Sequence, residues 1–383
     1  MQIIKIDNRN YLKKISKAIS LSEIDKELKS TMDQSNNYHP YLTFEWYKMW
    51  LEHFIGNCGS SILMFYRDDN LQMIVPMIVE KIAYKGTKIR IQKLVGNVYS
   101  PIKSLIINSK TADDLSVAMD SLIRYFSIVD NEWDILDFDA LPVEEPWVEA
   151  FYNAIQTSAF RSRTYDCFCN WYTEGINGSS KDYIEKRSKN FRSNVKKNFN
   201  KLRQSGEVFF RMVKGEDDSP GYLNLYNEVY SRSWKKEERV GRTFFPDMVK
   251  YAERNGWLRI GLLFVNDRPI GAGFAIVCDG RAYFEKISYD ETYKALGAGS
   301  RCLYEMIKYV IDEDSVSTID FLRGDDEYKK HWVDKYRTRK GIMIYNNNIK
   351  GRYLSFIDQY VVPVINNNQS FRKIKEAVVG LLR

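Results

Sequence analysis

Tyr289-Asp290-Glu291-Thr292-Tyr293-Lys294-Ala295-Leu296-Gly297-Ala298-Gly299-Ser300 is the stretch that decides how this chain is read. It follows a β-rich run, 281–288, and opens a helical pattern in which Leu303, Met306, Ile307, Val310 and Ile311 recur at steps of three and four. A strand, a glycine-bearing loop and a helix start together make a seat for phosphate. Glycine lets the backbone come close, and the unpaired N–H groups at the positive end of the helix favour an anion. Two glycines alone mark an ordinary turn in most chains. Here they are followed by Ile319-Asp320-Phe321-Leu322-Arg323-Gly324-Asp325, which reads as a strand carrying three charges into a turn.

Outward from that stretch, three strands precede it: Trp257 to Val265, Pro269 to Cys278 and Arg281 to Ser288. Turn signals at Asn266-Asp267-Arg268 and Asp279-Gly280 separate them. Before these come helical patterns at Phe245–Asn255 and Tyr222–Trp234, and a basic helix from Tyr183 to Leu202 with Ile184, Phe191, Val195 and Leu202 on its apolar side. The first half has the same order. Met1–Ile6 reads as a short strand, Tyr11–Leu28 as an amphipathic helix and Phe44–Phe54 as an aromatic-rich helix. A meander follows over 61–98 with turns at Asp68-Asp69-Asn70 and Lys85-Gly86. Then come a helix over 111–126 capped by Thr111 and a strand at 133–138. The closing strands share a pattern, Ile135-Leu136-Asp137-Phe138 and Thr318-Ile319-Asp320-Phe321. The chain therefore reads as two copies of one α/β unit, with the anion site only in the second, because Ser109-Lys110-Thr111 has no glycine.

Length and composition agree with a soluble globular protein of two domains: 383 residues, 44% hydrophobic and 14% aromatic. The net charge of +7 is local. Nine basic residues between Lys181 and Arg203 stand against Asp182 and Glu185, an excess equal to that of the whole chain, so nucleic-acid binding by the whole surface is not indicated. Cys167-x-Cys169 has no second pair or nearby histidine, and no metal is expected. Met1–Lys14 has no apolar core of the signal-peptide kind, and no run reaches the ~18 apolar residues of a membrane span. A cytoplasmic location is expected. After an expected last strand, 339–345, the Asn-rich patches 346–348 and 366–368 flank a poorly patterned stretch. The tail 371–383 reads as an amphipathic helix with Phe371, Ile374, Val378 and Leu381 on one face.

The run Asp320-Phe321-Leu322-Arg323-Gly324-Asp325-Asp326-Glu327-Tyr328-Lys329, ending in Trp332, resembles the signature of the CelD-like subgroup of GNAT-superfamily acetyltransferases from bacterial polysaccharide clusters. Lys189-Asn190-Phe191-Arg192-Ser193-Asn194, Trp234, Pro269-Ile270-Gly271-Ala272, Tyr289-Asp290 and Phe44-Glu45-Trp46 through Phe54-Ile55-Gly56 fit the same resemblance, which spans about 40–340. It implies an α/β (α+β) fold of two tandem GNAT-like domains, as in the Fem-type peptidoglycan aminoacyltransferases, each a mixed, mostly antiparallel sheet flanked by helices. The expected divisions are an N-terminal domain without a donor site, 1–165, a C-terminal domain with the acyl-CoA site, 166–350, and a tail, 351–383. Acetyl-CoA or another acyl-CoA is the implied co-substrate. Lys294, Gly297 and Gly299 match the pyrophosphate loop, with lysine an unusual but still cationic first residue. With Ala298 and Ser300 they form the expected donor site. Strand 281–288 is expected to splay from strand 318–323 and hold the pantetheine arm.

Acyl transfer needs a base for the acceptor, donors for the oxyanion and an acid for the thiolate. Asp325 is the first choice for the base, with Glu285, Asp320 and His331 as further candidates, and Tyr328 and Tyr289 are the candidate acids; a lone histidine is more often structural. Glu285 has a plain alternative in pairing with Lys286 or Arg301, and Asp320 and Asp325 in bracing the turn with Arg323. Arg323, Lys189, Arg192, Trp234 and Lys329 are the candidate acceptor-binding set, although a basic helix is also an ordinary solvated face. The reading is an acyl-CoA-dependent N-acyltransferase, an acetyltransferase by resemblance, acting on an amino sugar or glycan precursor at the cytoplasmic side. The C-terminal helix is offered as a peripheral contact with the inner face of the membrane, with the more usual alternative that it covers its own domain's core. Two alternatives stand beside it: a Fem-type enzyme using aminoacyl-tRNA, and a non-catalytic binding protein of the same fold.

Overall fold

A computed structural model of the chain describes residues 2–7, 9–16, 29–32, 35, 37–109, 111–130, 132–215, 221–235 and 241–363. Its strands are β1 (Gln2–Lys5), β2 (Asn10–Ser16), β3 (Gly59–Arg67), β4 (Asn70–Tyr84), β5 (Thr87–Leu94), β6 (Ile106–Ile107), β7 (Ile135–Leu141) and β8 (Arg161–Glu174). These are followed by β9 (Val208–Val213), β10 (Leu258–Val265), β11 (Arg268–Cys278), β12 (Arg281–Tyr289), β13 (Thr318–Arg323) and β14 (Lys335–Tyr345). The α-helices are α1 (Phe44–Phe54), α2 (Ala112–Arg124), α3 (Pro146–Gln156), α4 (Ser180–Glu185) and α5 (Lys189–Arg203). They continue with α6 (Tyr222–Ser231), α7 (Gly241–Arg254), α8 (Ala298–Asp312), α9 (Lys329–Trp332) and α10 (Ile349–Phe356). The chain divides into two compact units, 1–167 with 339–383 and 168–338.

The first unit orders its strands β1-β2-β3-β4-β5-β7-β14, with β6 on β4. Every described pairing is antiparallel except β5–β7, where Ile91 to Lys93 run parallel to Ile135 to Asp137. The period of two sorts side chains to two covered faces. Leu63 and Phe65 of β3 join Met119, Leu122 and Phe151 of the helices α2 and α3 in one core. Ile62, Met64 and Tyr66 meet Tyr47, Trp50 and Leu51 of α1 in the other. The second unit orders its strands β8-β13-β12-β11-β10-β9, again antiparallel except for one parallel pair, β12–β13. Cys302, Leu303, Met306 and Val310 of α8 pack on one face. On the other, Tyr226 of α6 and Phe245 of α7 lie 5.0 Å apart at their ring centroids, with Phe245 edge-on to Phe274 of β11 at 5.5 Å.

The two units therefore repeat one plan. A four-strand antiparallel run, β2 to β5 or β9 to β12, is followed by a helix, α2 or α8, and a parallel strand, β7 or β13. That strand is flanked on its far side by an antiparallel one, β14 or β8.

Three expectations change. Residues 11–16 form β2, not a helix, and 17–28 lie outside the described residues. Leu12 and Ile15 look like one helical face, but they point to opposite cores of a sheet covered on both sides. The basic helix is broken at 186–188 into α4 and α5, where the Ser188 hydroxyl accepts the Phe191 N–H at 3.2 Å and starts a new helix. Residues 340–345, grouped on sequence with the second domain, pair with β7 of the first unit. The stretch after Asn348 is helical, capped by the Asn348 side chain accepting the Gly351 N–H at 2.7 Å. The expected amphipathic helix at 371–383 lies outside the described residues.

Candidate active site

The site is built on a parting of two strands. β12 and β13 pair only at Arg281–Thr318, Ala282–Ile319 and Tyr283–Asp320. Beyond that, β12 runs on against β11 to Tyr289, while β13 runs on against β8 to Arg323. Among the described residues, the facing edges of 284–289 and 321–323 have no strand partner. The register shifts where Phe274 faces Lys286 and Ala275 faces Phe284, so Glu285 is the extra residue of a β-bulge just past the parting. A gap of this kind offers backbone donors and acceptors to an extended ligand. This is the splay that the family resemblance implies.

At the end of β12, Asp290 organises the turn. Its buried carboxylate accepts from the Thr292 N–H at 3.0 Å and hydroxyl at 2.6 Å, and pairs with Arg268 at 2.8 Å and Arg232 at 3.2 Å. Desolvation raises the carboxyl, but these bonds and charges outweigh it and hold it below its ordinary range. A 3₁₀ turn, Glu291–Leu296, then leads to Gly297, whose φ of +73° favours glycine. The first helical bond of α8 is Arg301 N–H to the Gly297 carbonyl at 2.9 Å. The N–H groups of Ala298, Gly299 and Ser300 thus have no helix carbonyl, and no side chain caps the end. The counterpart in the first unit is closed. There Thr111 accepts the Asp114 N–H at 3.1 Å, and Asp113 and Asp114 supply the negative charge themselves, paired with Arg67 at 3.1 and 2.8 Å.

Around the open helix start stand aromatic and cationic groups. The Tyr289 ring covers Gly299 so closely that a Cβ there would come within 2.5 Å of its Cδ1. Trp234, half-exposed, stacks on the same ring at 4.4 Å. Asn198 of α5 would lie 2.9 Å from a Cβ on Gly297, which puts the basic helix beside the loop. Lys189, Arg192, Lys196, Lys197, Lys201 and Arg203 are exposed on α5, which carries no acid, and none has an acidic partner within 4.0 Å among the described residues. Lys294 is exposed and lies 3.6 Å from Glu291.

The charged motif divides into buried braces and exposed groups. Asp320 is 2% exposed, and both oxygens are engaged. Oδ1 accepts from Asn170 Nδ2 and the Leu322 N–H, each at 2.7 Å, and Oδ2 pairs with Arg337 at 2.9 Å. Its cation is thus Arg337 and not Arg323, whose guanidinium lies over the Phe168 ring at 4.4 Å. Lys329 is buried, donating to the Arg323 carbonyl at 2.7 Å and pairing with Asp326 at 3.1 Å, so it clamps the turn. Asp325 is exposed, and its Oδ1 accepts the Trp171 indole N–H at 2.8 Å. Tyr328 lies edge-on to Phe321 at 6.2 Å, and desolvation, with Asp326 adding to it, pushes its phenol above the ordinary range. Arg301 pairs with Glu305 and lies over Phe199 at 4.2 Å. His331 stacks on Phe191 at 6.0 Å. Asn170, Trp171, Asn198 and Arg337 were not singled out on sequence. They meet the motif only through strand pairing and helix packing, which leave no local mark.

Residues 189–330 match the family model for the acetyltransferase (GNAT) domain. The match lies within the second unit. Over nearly its whole length the chain is similar to the crystal structure of FemX, with a TM-score of 0.58 and 10% identity, covering 90% of this chain and 100% of that one. It is also similar to a conserved protein of unknown function from Bacteroides thetaiotaomicron VPI-5482, with a TM-score of 0.53 and 12% identity, covering 86% and 99%. These likenesses show the fold alone, a mixed sheet flanked by helices. No curated protein matches the sequence.

Proposed function

We propose that the protein is an acyl-CoA-dependent N-acyltransferase acting on an amino sugar or glycan precursor. The observation that carries the reading is the parting of β12 from β13 directly before an uncapped helix start. The donor's pyrophosphate is held by the N–H groups of Ala298, Gly299 and Ser300, with Lys294 nearby, and its pantetheine arm lies along the open edge of 284–289. The amine nitrogen attacks the thioester carbon, the N–C bond forms and the C–S bond breaks. Glu285, in the bulge beside the parting, takes the proton from the amine, and the thiolate takes one from Tyr328. Asp325, Arg323 and the α5 cations bind the acceptor. The amino-sugar class draws on the resemblance to CelD-like acetyltransferases.

A second reading, transfer from aminoacyl-tRNA, draws on the row of unpaired cations on α5. Thiol release from acetyl-CoA with a panel of amino sugars and nucleotide amino sugars separates the two. The proposal expects acceptor-dependent release, with Glu285→Gln lowering kcat by roughly 10²–10⁴. Transfer that needs charged tRNA and ignores acyl-CoA would replace it with the second reading.

A further inference from the structure

The helix α10 and the π-type turn after it, Ile357–Val361, have their polarity reversed. Gly351, Leu354, Ser355 and Asp358 face inward. Ile349, Tyr353, Phe356 and Tyr360, spaced four, three and four apart, face solvent with 89, 47, 54 and 62% of their surface exposed. That spacing puts all four on one stripe, and the rings of Phe356 and Tyr360 touch at 5.4 Å. A helix of a soluble domain normally turns such a stripe to the core.

The exposed charges of 349–361 have one sign. Arg352 and Lys350 are exposed on the same helix, and Lys350 reaches the carbonyl of exposed Lys88 at 3.0 Å, which brings the β4–β5 turn alongside. The one acid of 349–361, Asp358, is buried and neutralised. It accepts from the Tyr345 hydroxyl at 2.6 Å and pairs with Lys85. An aromatic and aliphatic stripe rimmed by cations fits the interface of an anionic bilayer, where rings lie at headgroup depth and Lys or Arg meets lipid phosphate. A second copy fits less well, because a two-fold pairing through the stripe would bring Lys350 and Arg352 of both helices together. The sequence beyond is also basic and apolar, with Arg372, Lys373, Lys375 and Arg383 against Glu376 and among Phe371, Ile374, Val378 and Leu381. We propose that the stripe Ile349–Tyr353–Phe356–Tyr360 docks the protein on an anionic membrane surface.

Co-sedimentation of the full chain tests this, with phosphatidylcholine vesicles and with the same vesicles carrying roughly 30% phosphatidylglycerol. Binding is expected to the anionic vesicles only, weakening as salt rises. Phe356→Ser with Tyr360→Ser is expected to weaken it at least about tenfold. Lys350→Glu with Arg352→Glu is expected to weaken it and to flatten the salt dependence. All four positions are exposed, so an unchanged melting curve accompanies each variant. Three results overturn the proposal: no binding by the wild-type chain, unchanged binding by the serine pair, or a homodimer by light scattering that the serine pair dissolves while vesicles bind neither form.

Discussion

Replacing Asp320 separates a brace from a base. In Asp320→Ala the Leu322 N–H and the Asn170 amide lose their acceptor, and the Arg337 guanidinium, only 19% exposed, loses its counter-charge. Removing one partner of a buried ion pair costs roughly 3–5 kcal/mol, and the orphaned N–H lies within that range rather than adding fully to it. Leu322 holds a φ of +54°, so the bond to its N–H also fixes an unfavourable backbone. With a urea slope of about 2 kcal/mol/M, the unfolding midpoint of the second unit should fall by about 1.5–2.5 M. Asp320→Asn keeps an acceptor for Leu322 and should lose about half as much. Urea titration followed by tryptophan fluorescence, with thiol release measured on the protein that remains folded, reads both quantities. The brace predicts turnover of folded Asp320→Asn within a few-fold of wild type. Wild-type stability with turnover down a hundredfold or more would refute the reasoning and return Asp320 to the chemistry.

Gly299→Ala should destabilise the second unit by about 1–3 kcal/mol in the same titration, because the Cβ meets the Tyr289 ring pinned under Trp234; wild-type stability would mean that the ring moves freely. Stability should also fall above about pH 10. Burial pushes the phenols of Tyr183 and Tyr345 up to about 12, and both hydroxyls donate inside the fold, to the Trp332 carbonyl and to Asp358. The unfolded chain releases these protons near pH 10 while the folded chain keeps them, so the contribution is complete below that pH and is lost as pH rises toward 12. A urea midpoint that stays level from pH 9 to about 11.5 would contradict this.

The meanders were legible because their turns state their geometry. Asp68, Asp69, Lys85, Asn266 and Asp279 all take the positive φ that such turn sequences suggest. The open helix start was legible through Gly297 and Gly299, and the parting of β12 and β13 through the family resemblance alone. What stayed hidden depends on contacts distant in sequence. Leu12 and Ile15 have helical spacing and only the second covered face reveals a strand. Arg337 lies 17 positions from Asp320, and pairing with it removes Asp320 from the open groups. The helix α10 escaped a search for an apolar face turned inward because its apolar residues face outward.

Ser300→Asp asks whether the start of α8 receives the donor's pyrophosphate. Ser300 is the third residue of α8, as Asp114 is of α2, so the substitution gives the second unit the acidic start that the first already has. A carboxylate there should leave the helix equally stable or firmer by roughly 0.3–1 kcal/mol. At about 5 Å and an effective dielectric near 40 it should repel each phosphate charge by roughly 1.5–2 kcal/mol. Calorimetric titration with acetyl-CoA is predicted to show binding to the wild-type chain and at least tenfold weaker binding to Ser300→Asp at unchanged melting temperature. Equal affinity of the two proteins, or no affinity of the folded wild type for any acyl-CoA, would contradict the account.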